Sequence, residues 1–532
     1  MTRELSGPDA DPFDVLVIGA GFGGLSAALS LAEGGAKVCL CEALKYPGGC
    51  ASTFERDGFR FDAGATLVSG LARGQLFGRW LERYSPQTVI DWIDPLLHVR
   101  AKALELVVGR DRERLVEQLC ALGGAPAEGI RAFFQRQRAV ADVLWSLFDD
   151  PSLLPPFSVG SLARHVPRLA RYAGLLPLVG RSLEQVLATY GVADFAPLRL
   201  YIDALCQITV QCPASEAEAL FALAALDYYY RGTAHVRGGV GSLAWALLNA
   251  ARAAGVHTRL PSRVSGLRRE PNGAWVVTTR GGELRARAVV ANLIPSALHA
   301  LVDPREAAAL TAVLGDRSEE LENAWGAAML YAVARAPEES SPEAHHLQLI
   351  GSEEQPLREG NHVFVSLSGA LELERAPAGL RTLTISTHVP LSKLRDAKTD
   401  AGRYIGAIQR KMRETLEQRA PEWSRGIEQV LPASPRTFAR FVGRPTGTVG
   451  GLPRRVGLSN YRGAGPMEAL DGLWMVGDSV FPGQSALATA VGGARTAASV
   501  LRRLGARPAA PLLPYLADSP RASLPSGMTG DR

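Results

Sequence analysis

The chain has 532 residues, of which 47% are hydrophobic and 21% charged, and its formal net charge is +5 at pH 7. A chain of this length exceeds what one hydrophobic core usually serves, so at least two domains are expected. The small positive excess gives no indication of nucleic-acid binding. No apolar stretch reaches the length of a membrane span without charges or prolines, and the first residues lack the apolar region of a secretory signal. We therefore expect a cytoplasmic protein.

The six cysteines show none of the paired spacings of a zinc site or a redox dithiol; they occupy positions 39, 41, 50, 120, 206 and 212. Cys39 and Cys41 fall in a predicted strand, where small buried thiols are the expected interpretation. This pattern is typical of a reduced chain without disulfides.

The stretch DVLVIGAGFGGLSAALSL, residues 14–31, carries a G-x-G-x-x-G pattern at Gly19, Gly21 and Gly24. An apolar strand precedes the glycines, a helix follows them, and a second strand, KVCLCE, ends in an acid at Glu42. This order predicts a dinucleotide-binding unit rather than a membrane anchor. Gly19 would allow the tight turn, Gly21 the approach of the pyrophosphate, and Gly24 close helix packing. Glu42 would accept hydrogen bonds from a ribose hydroxyl.

A glycine pair, Gly48 and Gly49, follows Glu42 after five residues, and the stretch ERDGFRFDAG comes next. Together these segments resemble the flavoprotein superfamily that contains amine oxidases, phytoene desaturases and carotenoid isomerases. The resemblance implies FAD as the cofactor. In that superfamily two later segments of the chain also belong to the cofactor domain. Here the first is matched by VRGGVG with the strand at Val264, and the second by GLWMVGDSVFPGQ.

The resemblance gives roles to three residues of these later segments. Val264 stands where the superfamily contacts the adenine. Gly477 and Asp478 end a strand, and Asp478 would form hydrogen bonds with the ribityl hydroxyls of FAD. The structural alternative is that Asp478 only caps the helix that follows. The helix after them would aim N–H groups at the flavin ring. No cysteine follows Cys212, so a C-terminal cysteinyl bond is excluded and non-covalent FAD is expected.

Within the superfamily the chain is most similar to carotenoid isomerases and the related desaturases. PGGCASTFERDGFRFDAGATLVSG, VRGGVG, FVGRPTGTVGGLPRR and WMVGDSVFPGQSALATAVGG carry this similarity in order, over about residues 13–504. The run CASTF, with Cys50, also resembles retinol saturases, which reduce a polyene alcohol.

The implied fold is α/β, with a Rossmann-type FAD-binding domain, a parallel sheet with helices on both sides, interrupted by a mixed α+β substrate domain. The predicted parts are a disordered N-terminus (1–12), FAD domain (13–70), substrate domain (71–230), FAD domain (231–297), substrate domain (298–438), FAD domain (439–504) and a disordered tail (505–532).

The expected substrate is a carotenoid or similar long polyene dissolved in a membrane. LYIDALCQITV and FALAALDYYY would line its pocket, although core packing is the commoner role for Tyr228, Tyr229 and Tyr230. No nucleophile set or metal-ligand cluster is present, so no metal is expected and the catalytic residues stay unknown. His345 and His346 are expected in a solvated loop.

Two chemistries remain open. Desaturation would remove a hydride and a proton and pass electrons to a quinone or oxygen, whereas isomerisation involves no net redox change. An amine oxidase is a rival with another substrate, disfavoured because the later insert holds few lysines (Lys393, Lys398, Lys411), none of them in a recognisable motif. A polyene carrier without flavin is a non-enzyme rival.

The segment 151–183 contains four arginines, one histidine and no acid among many apolar residues. Arg164, Arg168 and Arg171 recur at helical spacing beside leucines and valines. This pattern predicts a basic amphipathic helix that either lies on an anionic membrane or covers its own domain. The first alternative would make the protein a peripheral membrane protein.

Overall fold

The coordinates are those of a computed structural model, which describes residues 12–157, 159–322, 324–338, 340–396, 400–461 and 463–505. The ends predicted to be disordered, 1–12 and 505–532, lie outside the described residues except for Pro12 and Gly505.

Nineteen strands are formed by the described residues. In chain order they are β1 (Phe13–Ile18), β2 (Val38–Cys41), β3 (Thr53–Arg56), β4 (Phe59–Asp62), β5 (Ile90–Asp91), β6 (Leu97–Arg100), β7 (Glu105–Val108), β8 (His235–Val236), β9 (His257–Arg259), β10 (Val264–Arg269), β11 (Trp275–Thr279), β12 (Gly282–Ala291), β13 (Trp325–Arg335), β14 (His345–Ile350), β15 (His362–Leu367), β16 (Leu380–Pro390), β17 (Ile427–Ala433), β18 (Met467–Leu470) and β19 (Leu473–Met475).

Seventeen α-helices are formed by the same residues. In chain order they are α1 (Phe22–Glu33), α2 (Leu76–Tyr84), α3 (Arg112–Cys120), α4 (Ala127–Asp149), α5 (Val159–His165), α6 (Leu169–Ala173), α7 (Leu183–Thr189), α8 (Ala196–Thr209), α9 (Ala219–Ala225), α10 (Val240–Ala253), α11 (Pro295–His299), α12 (Pro304–Glu322), α13 (Leu391–Asp396), α14 (Ala401–Arg419), α15 (Pro421–Ser424), α16 (Pro435–Val442) and α17 (Ala486–Arg503).

The first sheet has the strand order β10-β11-β12-β1-β2-β9, and β19 joins it beside β12 with β18 on its far side. β12, β1, β2, β9 and β19 run parallel, and β10 to β12 form an antiparallel meander at one side. Side chains alternate between the two faces of a strand, so both faces need cover. α1, α10 and α17 pack on one face, and α11 and α12 pack on the other. The prediction of an α/β fold with a parallel sheet between helices is confirmed.

The second sheet has the order β17-β13-β16-β15-β14-β6-β7, in which only the β14–β6 pair among the described pairs is parallel. α14 packs on one face through Ile405, Ile408 and Met412. The opposite face carries Met329 and Phe364 toward a large cavity. The domain boundaries stay predictions; α2, inside the predicted substrate part, packs with the helices of the first sheet.

The prediction of a solvated loop at His345 and His346 is wrong. Both residues begin β14, where they pair with Leu367 and Ser366 of β15. His346 is buried, and its Nδ1 lies 2.8 Å from the hydroxyl of Ser366. The acidic residues before this strand suggested solvent exposure, but pairing on both sides of β14 overrides that local signal. No group of three metal-ligating side chains occurs in the described parts of the chain.

The prediction of one amphipathic helix within 151–183 is also wrong. The segment folds into short pieces: α5, α6 and single 3₁₀ turns at Pro151–Leu153, Val166–Arg168 and Leu176–Leu178. Pro167 and Pro177 lie in those 3₁₀ turns and Gly174 follows α6, which explains why a continuous helix does not form. Over the residues that the structure covers, no helix is long and apolar enough to cross a membrane.

Candidate functional site

Four parallel strands of the first sheet end side by side. Ile18 of β1 pairs with Cys41 of β2 and Ala291 of β12, and Ala291 in turn pairs with Met475 of β19. The carboxyl edge of such a sheet is where ligands bind in open α/β folds. The residues that follow the four strands therefore meet at this edge: Gly19, Glu42, Asn292 and the pair Gly477-Asp478.

The glycine motif forms the turn between β1 and α1. Gly19 has φ +91°, a conformation that favours glycine, and Gly21 is the N-cap of α1. A Cβ at Gly24 would overlap the carbonyl oxygen of Gly19, so this glycine allows the helix to pack against the turn. Gly19 and Gly21 line the cavity, whereas Gly24 is buried behind them.

Asn292 lies at the centre of this turn and was missed by the sequence analysis. Its N–H donates to the carbonyl of Ile18 at 2.8 Å. A Cβ on Gly21 would lie 2.6 Å from Asn292 Nδ2, and one on Gly477 would lie 3.0 Å from Asn292 Oδ1. The glycines thus leave room for this amide as well as for a ligand. A polar residue directly after the apolar run AVVA was the available signal.

Glu42 is held by the backbone of two loops. The N–H of Ala20 donates to its Oε2 and the N–H of Leu44 to its Oε1, both at 2.7 Å. The residue is 9% exposed, and burial raises the pKa of its carboxyl against the lowering effect of these bonds. A fixed carboxylate at the second strand's end is suited to hydroxyl recognition, because each oxygen keeps acceptor capacity.

The glycine pair brings backbone close to the first turn. The N–H of Gly48 donates to the carbonyl of Ala20 at 2.8 Å, and Gly48 forms a bridge with Gly21. Gly48 and Gly49 have φ values of +111° and +60°. Val264 opens β10, is 8% exposed and lines the cavity near Glu42. The predicted residues other than Gly24 therefore line one cavity.

Asp478 forms an ion pair with Arg444, which the sequence analysis also missed. Arg444 Nη2 lies 2.6 Å from Asp478 Oδ2, and the side chains are 14% and 13% exposed. Burial alone would lower the pKa of Arg444, but the Asp478 charge and then Cys50 raise it. Asp478 does not cap a helix, since Ser485 is the N-cap of α17. Burial raises the pKa of Cys50, a third side chain of this cluster, so its thiol stays protonated.

Ser485 has an unusual backbone. Its φ of +102° and ψ of +154° lie in a region that is essentially reserved for glycine. Its hydroxyl accepts from the N–H of Ala488 at 3.0 Å and caps α17. Ser485 and the first residue of the helix, Ala486, line the cavity. The helix start, with its free N–H groups and positive dipole end, therefore faces the cavity.

The cavity has a volume of about 950 Å³ and is continuous from the glycine turn to the second sheet and the helices α4, α8 and α9. Apolar side chains dominate beyond the glycine turn, among them Phe148, Phe221, Tyr228, Met329 and Phe364. This size lies at the upper end of the range for ligand sites. The segments predicted to line a polyene pocket contribute to it, and Tyr228 and Tyr229 line it whereas Tyr230 does not. The hydroxyl of Tyr228 donates to the carbonyl of Leu67 at 3.0 Å.

Few carboxylates and histidines, the side chains that could accept a proton from a substrate, line this cavity. Among the described residues that line it, the carboxylates are Glu42 and Asp478, and both are already bonded. His388 is the histidine of the lining, and burial lowers its pKa to about 4, which makes it a weak base. The structure therefore offers no unengaged carboxylate for proton removal at the cavity wall among the described residues.

Comparison with known proteins places the chain in a family. Residues 22–501 match the family described as flavin containing amine oxidoreductase. Prolycopene isomerase 1, chloroplastic, from an Oncidium hybrid cultivar is 27% identical over 95% of this chain and 86% of its own length. Phytoene desaturase (lycopene-forming) from Pantoea ananas is 32% identical over 33% of this chain and 34% of its own length.

The solved structure of wild-type putrescine oxidase bound to putrescine has the same fold, with a TM-score of 0.60, 16% identity, and coverage of 93% of this chain and 100% of that one. The chain belongs to the flavin containing amine oxidoreductase family, and it is an FAD oxidoreductase-type enzyme.

The residues present fit a flavin dinucleotide. Bare glycine backbone at Gly21 and Gly48 lines one stretch of the cavity, as an approaching pyrophosphate requires. The N-termini of α1 and α17 both face the same space, and such termini favour phosphate and electron-rich ring edges. The buried polar groups of this edge point to a ligand with hydroxyls and phosphates at one end.

Proposed function

We propose that this enzyme is an FAD-dependent isomerase of a carotenoid or similar long polyene, which it takes from a membrane. The observation that carries the proposal is the continuous apolar cavity that leads from the glycine turn to Phe221 and Phe148. A conjugated hydrocarbon chain presents almost no hydrogen-bonding groups, so an extended apolar space is what it needs. The relative matched over 95% of this chain is named as a prolycopene isomerase.

In the proposed arrangement the predicted residues hold FAD. Glu42 binds the ribose of the adenosine beside Val264, the turn at Gly19 and Gly21 binds the pyrophosphate with Gly48 and Gly49, and Asp478 binds the ribityl chain next to Gly477. Bound FAD supplies electron-pair donation and acceptance at its ring. The start of α17 orients and stabilises the electron-rich edge of that ring. Gly24 contributes by close helix packing alone.

FAD is proposed to bind without a covalent bond. Cys41 and Cys50 are the described cysteines that line the cavity. Burial raises the pKa of Cys50, which keeps its thiol in the unreactive form, and Cys41 is 1% exposed within β2. Acid precipitation of the purified protein should therefore release the yellow chromophore into the supernatant. Colour that stays with the precipitate would contradict non-covalent binding.

Isomerisation is favoured over desaturation by the scarcity of bases. Desaturation must send a proton away from the polyene, whereas isomerisation returns the substrate with its atoms and electrons unchanged. The two carboxylates of the described cavity lining are engaged, and His388 is a weak base. The chain's own task is then to orient the polyene, exclude water and leave room for rotation about one bond.

A membrane origin of the substrate is supported by an exposed apolar surface. Six side chains form it, which we call the apolar surface segment: Phe157, Leu162, Val166, Leu169, Leu176 and Val179, with exposed fractions from 36% to 71%. It begins three residues after Leu154, which lines the cavity. Arg164 ties α5 to Asp150 at the end of α4. A lipid-facing surface next to the cavity would let a lipid-dissolved substrate enter.

The deciding experiment uses purified protein with FAD and liposomes that contain defined cis and all-trans carotenoids, with and without prior flavin reduction. We expect a product of unchanged mass and altered chromatographic retention. A red-shifted product would indicate desaturation, with a quinone or oxygen as acceptor, and a blue-shifted product of higher mass would indicate saturation. Peroxide release with amines would favour an amine oxidase. A protein that stays colourless after FAD addition would contradict the proposal of a flavin enzyme and would favour a polyene carrier without flavin.

A further inference from the structure

Arg454 contributes a guanidinium to the wall of the cavity. Its main chain is fixed on both sides, because its N–H donates to Val210 at 2.9 Å and its carbonyl accepts from Glu218 at 2.8 Å. Its Nη2 donates to the carbonyl of Pro482 at 2.7 Å. The guanidinium carbon lies 4.9 Å from the ring centroid of Phe221. The side chain is thus held in place with one face on an aromatic ring.

This guanidinium has no carboxylate partner. Within the described parts of the chain, no acidic oxygen lies within 4 Å of it, whereas Arg444 is paired with Asp478 and Arg455 with Glu216. Burial and then the nearby Arg317 lower the pKa of Arg454 to about 10, partly offset by Glu320. The group is therefore still charged near neutral pH, and a second cation stands close to it.

A cation without a carboxylate partner in an apolar cavity is energetically costly when water leaves the cavity. Buried charges in proteins are normally paired, because removing a charge from water without compensation is strongly unfavourable. A pure hydrocarbon that displaces water from this cavity would leave the Arg454 guanidinium uncompensated. Since one of its faces is covered by Phe221 and one nitrogen is bonded to Pro482, its other N–H groups are left to bond an anion from the cavity side.

We propose that the substrate is a conjugated polyene that ends in a carboxylate, and that Arg454 binds this carboxylate. This inference rests on the proposed function and narrows its substrate class. The carboxylate anchors one end of the chain, so that a fixed distance separates it from the bond that is rearranged. Arg454 then determines which double bond reaches the reacting position, in addition to selecting acids over uncharged polyenes.

The test measures binding of parinaric acid, a fluorescent conjugated tetraene with one carboxylate, and of its methyl ester to the flavin-loaded protein. The ester keeps the polyene and removes the charge. We expect the acid to bind roughly tenfold or more tightly than the ester, the range of a charged hydrogen bond. Arg454→Met should reduce the affinity for the acid to that for the ester. Arg455→Met is the matched control, since Arg455 is paired with Glu216 outside the cavity lining.

Equal binding of acid and ester by the unaltered protein would overturn the proposal, and so would a persisting preference in Arg454→Met. Loss of bound flavin in that variant would assign Arg454 to the cofactor instead and would also overturn it. If the variant does not fold, the comparison in the unaltered protein decides, together with its pH dependence: preference for the acid should vanish as the ligand carboxylate becomes protonated. A protein that prefers the acid but converts no polyene contradicts the proposed function alone.

Discussion

Arg444 and Asp478, 34 residues apart in the chain, form an ion pair of 2.6 Å at the wall of the cavity. Because both side chains are nearly enclosed, removing one partner leaves the other charge uncompensated. Arg444→Met should lower the free energy of unfolding by about 3–5 kcal/mol and reduce flavin content. Urea unfolding of the flavin-free protein and absorbance of the holoprotein measure the two effects.

The exposed pair Arg455–Glu216, with side chains 53% and 51% exposed, is the matched control. Arg455→Met should change the unfolding free energy by no more than about 1 kcal/mol. The double variant Arg444→Met/Asp478→Asn should be more stable than Arg444→Met, because it removes the uncompensated charge. Equal losses for the buried and the exposed pair would contradict the prediction.

Gly21→Ala should weaken FAD binding strongly. The backbone at Gly21 has an ordinary φ of −71°, so the effect arises from space: the new methyl group would meet Asn292 Nδ2 at 2.6 Å and fill the ligand side of the turn. Flavin content and titration of the flavin-free protein with FAD measure the loss. Adding Asn292→Ala to this variant should restore part of the affinity.

Gly402→Ala is the control for that change. Gly402 lies on the exposed side of α14 with no atom within 4 Å of a Cβ, so the substitution should stabilise the helix by about 0.5–1 kcal/mol. Its flavin content should equal that of the unaltered protein. Normal flavin content in Gly21→Ala would show that the pyrophosphate does not approach there.

Glu42→Gln tests the ribose contact. Glutamine has one carbonyl oxygen in place of two carboxylate oxygens, so it cannot accept from both Ala20 and Leu44, each of which donates at 2.7 Å. We expect FAD affinity to fall by about 1–3 kcal/mol, measured by fluorescence titration. An unchanged affinity would mean that the ribose is bound by other groups.

Stability at acid pH should depend on Glu372. Burial raises its pKa, but the hydrogen bond from His235 at 3.0 Å and the charges of His235 and Arg375 lower it from 4.5 to about 2. A carboxyl with a lowered folded-state pKa contributes stability above its unfolded pKa, and this is lost as pH falls through the folded value. The contribution is roughly 3 kcal/mol.

Urea unfolding across this acid range should show a steeper loss in the unaltered protein than in Glu372→Gln. The exposed neighbour Glu374 provides the control, and Glu374→Gln should keep the steep dependence. Parallel curves for Glu372→Gln and the unaltered protein would refute the assignment.

Membrane binding should depend on the apolar surface segment. Serine at Leu162, Val166, Leu169 and Leu176 removes side chains that would each gain roughly 1.5–3 kcal/mol if fully buried in lipid. Sedimentation with anionic liposomes should therefore fall at least tenfold, with bound flavin intact. Charge reversal is a weaker test here, because Arg164 is bonded to Asp150 and its loss would disturb α5.

Leu371 and Leu373, exposed at 75% and 63%, supply the matched control. Serine at these two positions should leave sedimentation unchanged, since they lie outside the segment. Equal loss in both variants would indicate a general effect of surface apolarity, and no loss in either would mean that the substrate enters elsewhere.

The strand-helix-strand unit formed by β1, α1 and β2 could be predicted because the sequence patterns that specify it are local. The strand before Gly19, the helix after Gly21 and the strand before Glu42 follow from apolar runs and glycine spacing within thirty residues of sequence. The thiols of Cys39 and Cys41 are buried in β2, as the sequence predicted. Local sequence patterns specify such elements, and contacts with distant residues only stabilise them.

The rest of the site depends on contacts between distant parts of the chain. Asn292 is positioned by the pairing of β12 with β1. Arg444 and Arg454 lie in an irregular loop, and their positions depend on contacts with Asp478 and with the carbonyl of Pro482. No spacing rule links an arginine to a carboxylate 34 residues away. Ser485 was equally hidden, because a sequence gives no sign of backbone strain at a residue other than glycine.

The four strands whose carboxyl ends form the candidate cofactor site are Phe13–Ile18, Val38–Cys41, Gly282–Ala291 and Leu473–Met475. A nascent chain on the ribosome therefore cannot form the whole candidate cofactor site until Leu473–Met475 has been synthesised. α17, whose Gly493 packs directly on Gly23 of α1, follows all four strands in the chain and covers an apolar face of α1. We therefore expect flavin to bind only after α17 has been synthesised, and the apolar face of α1 to be prone to aggregation until α17 packs on it.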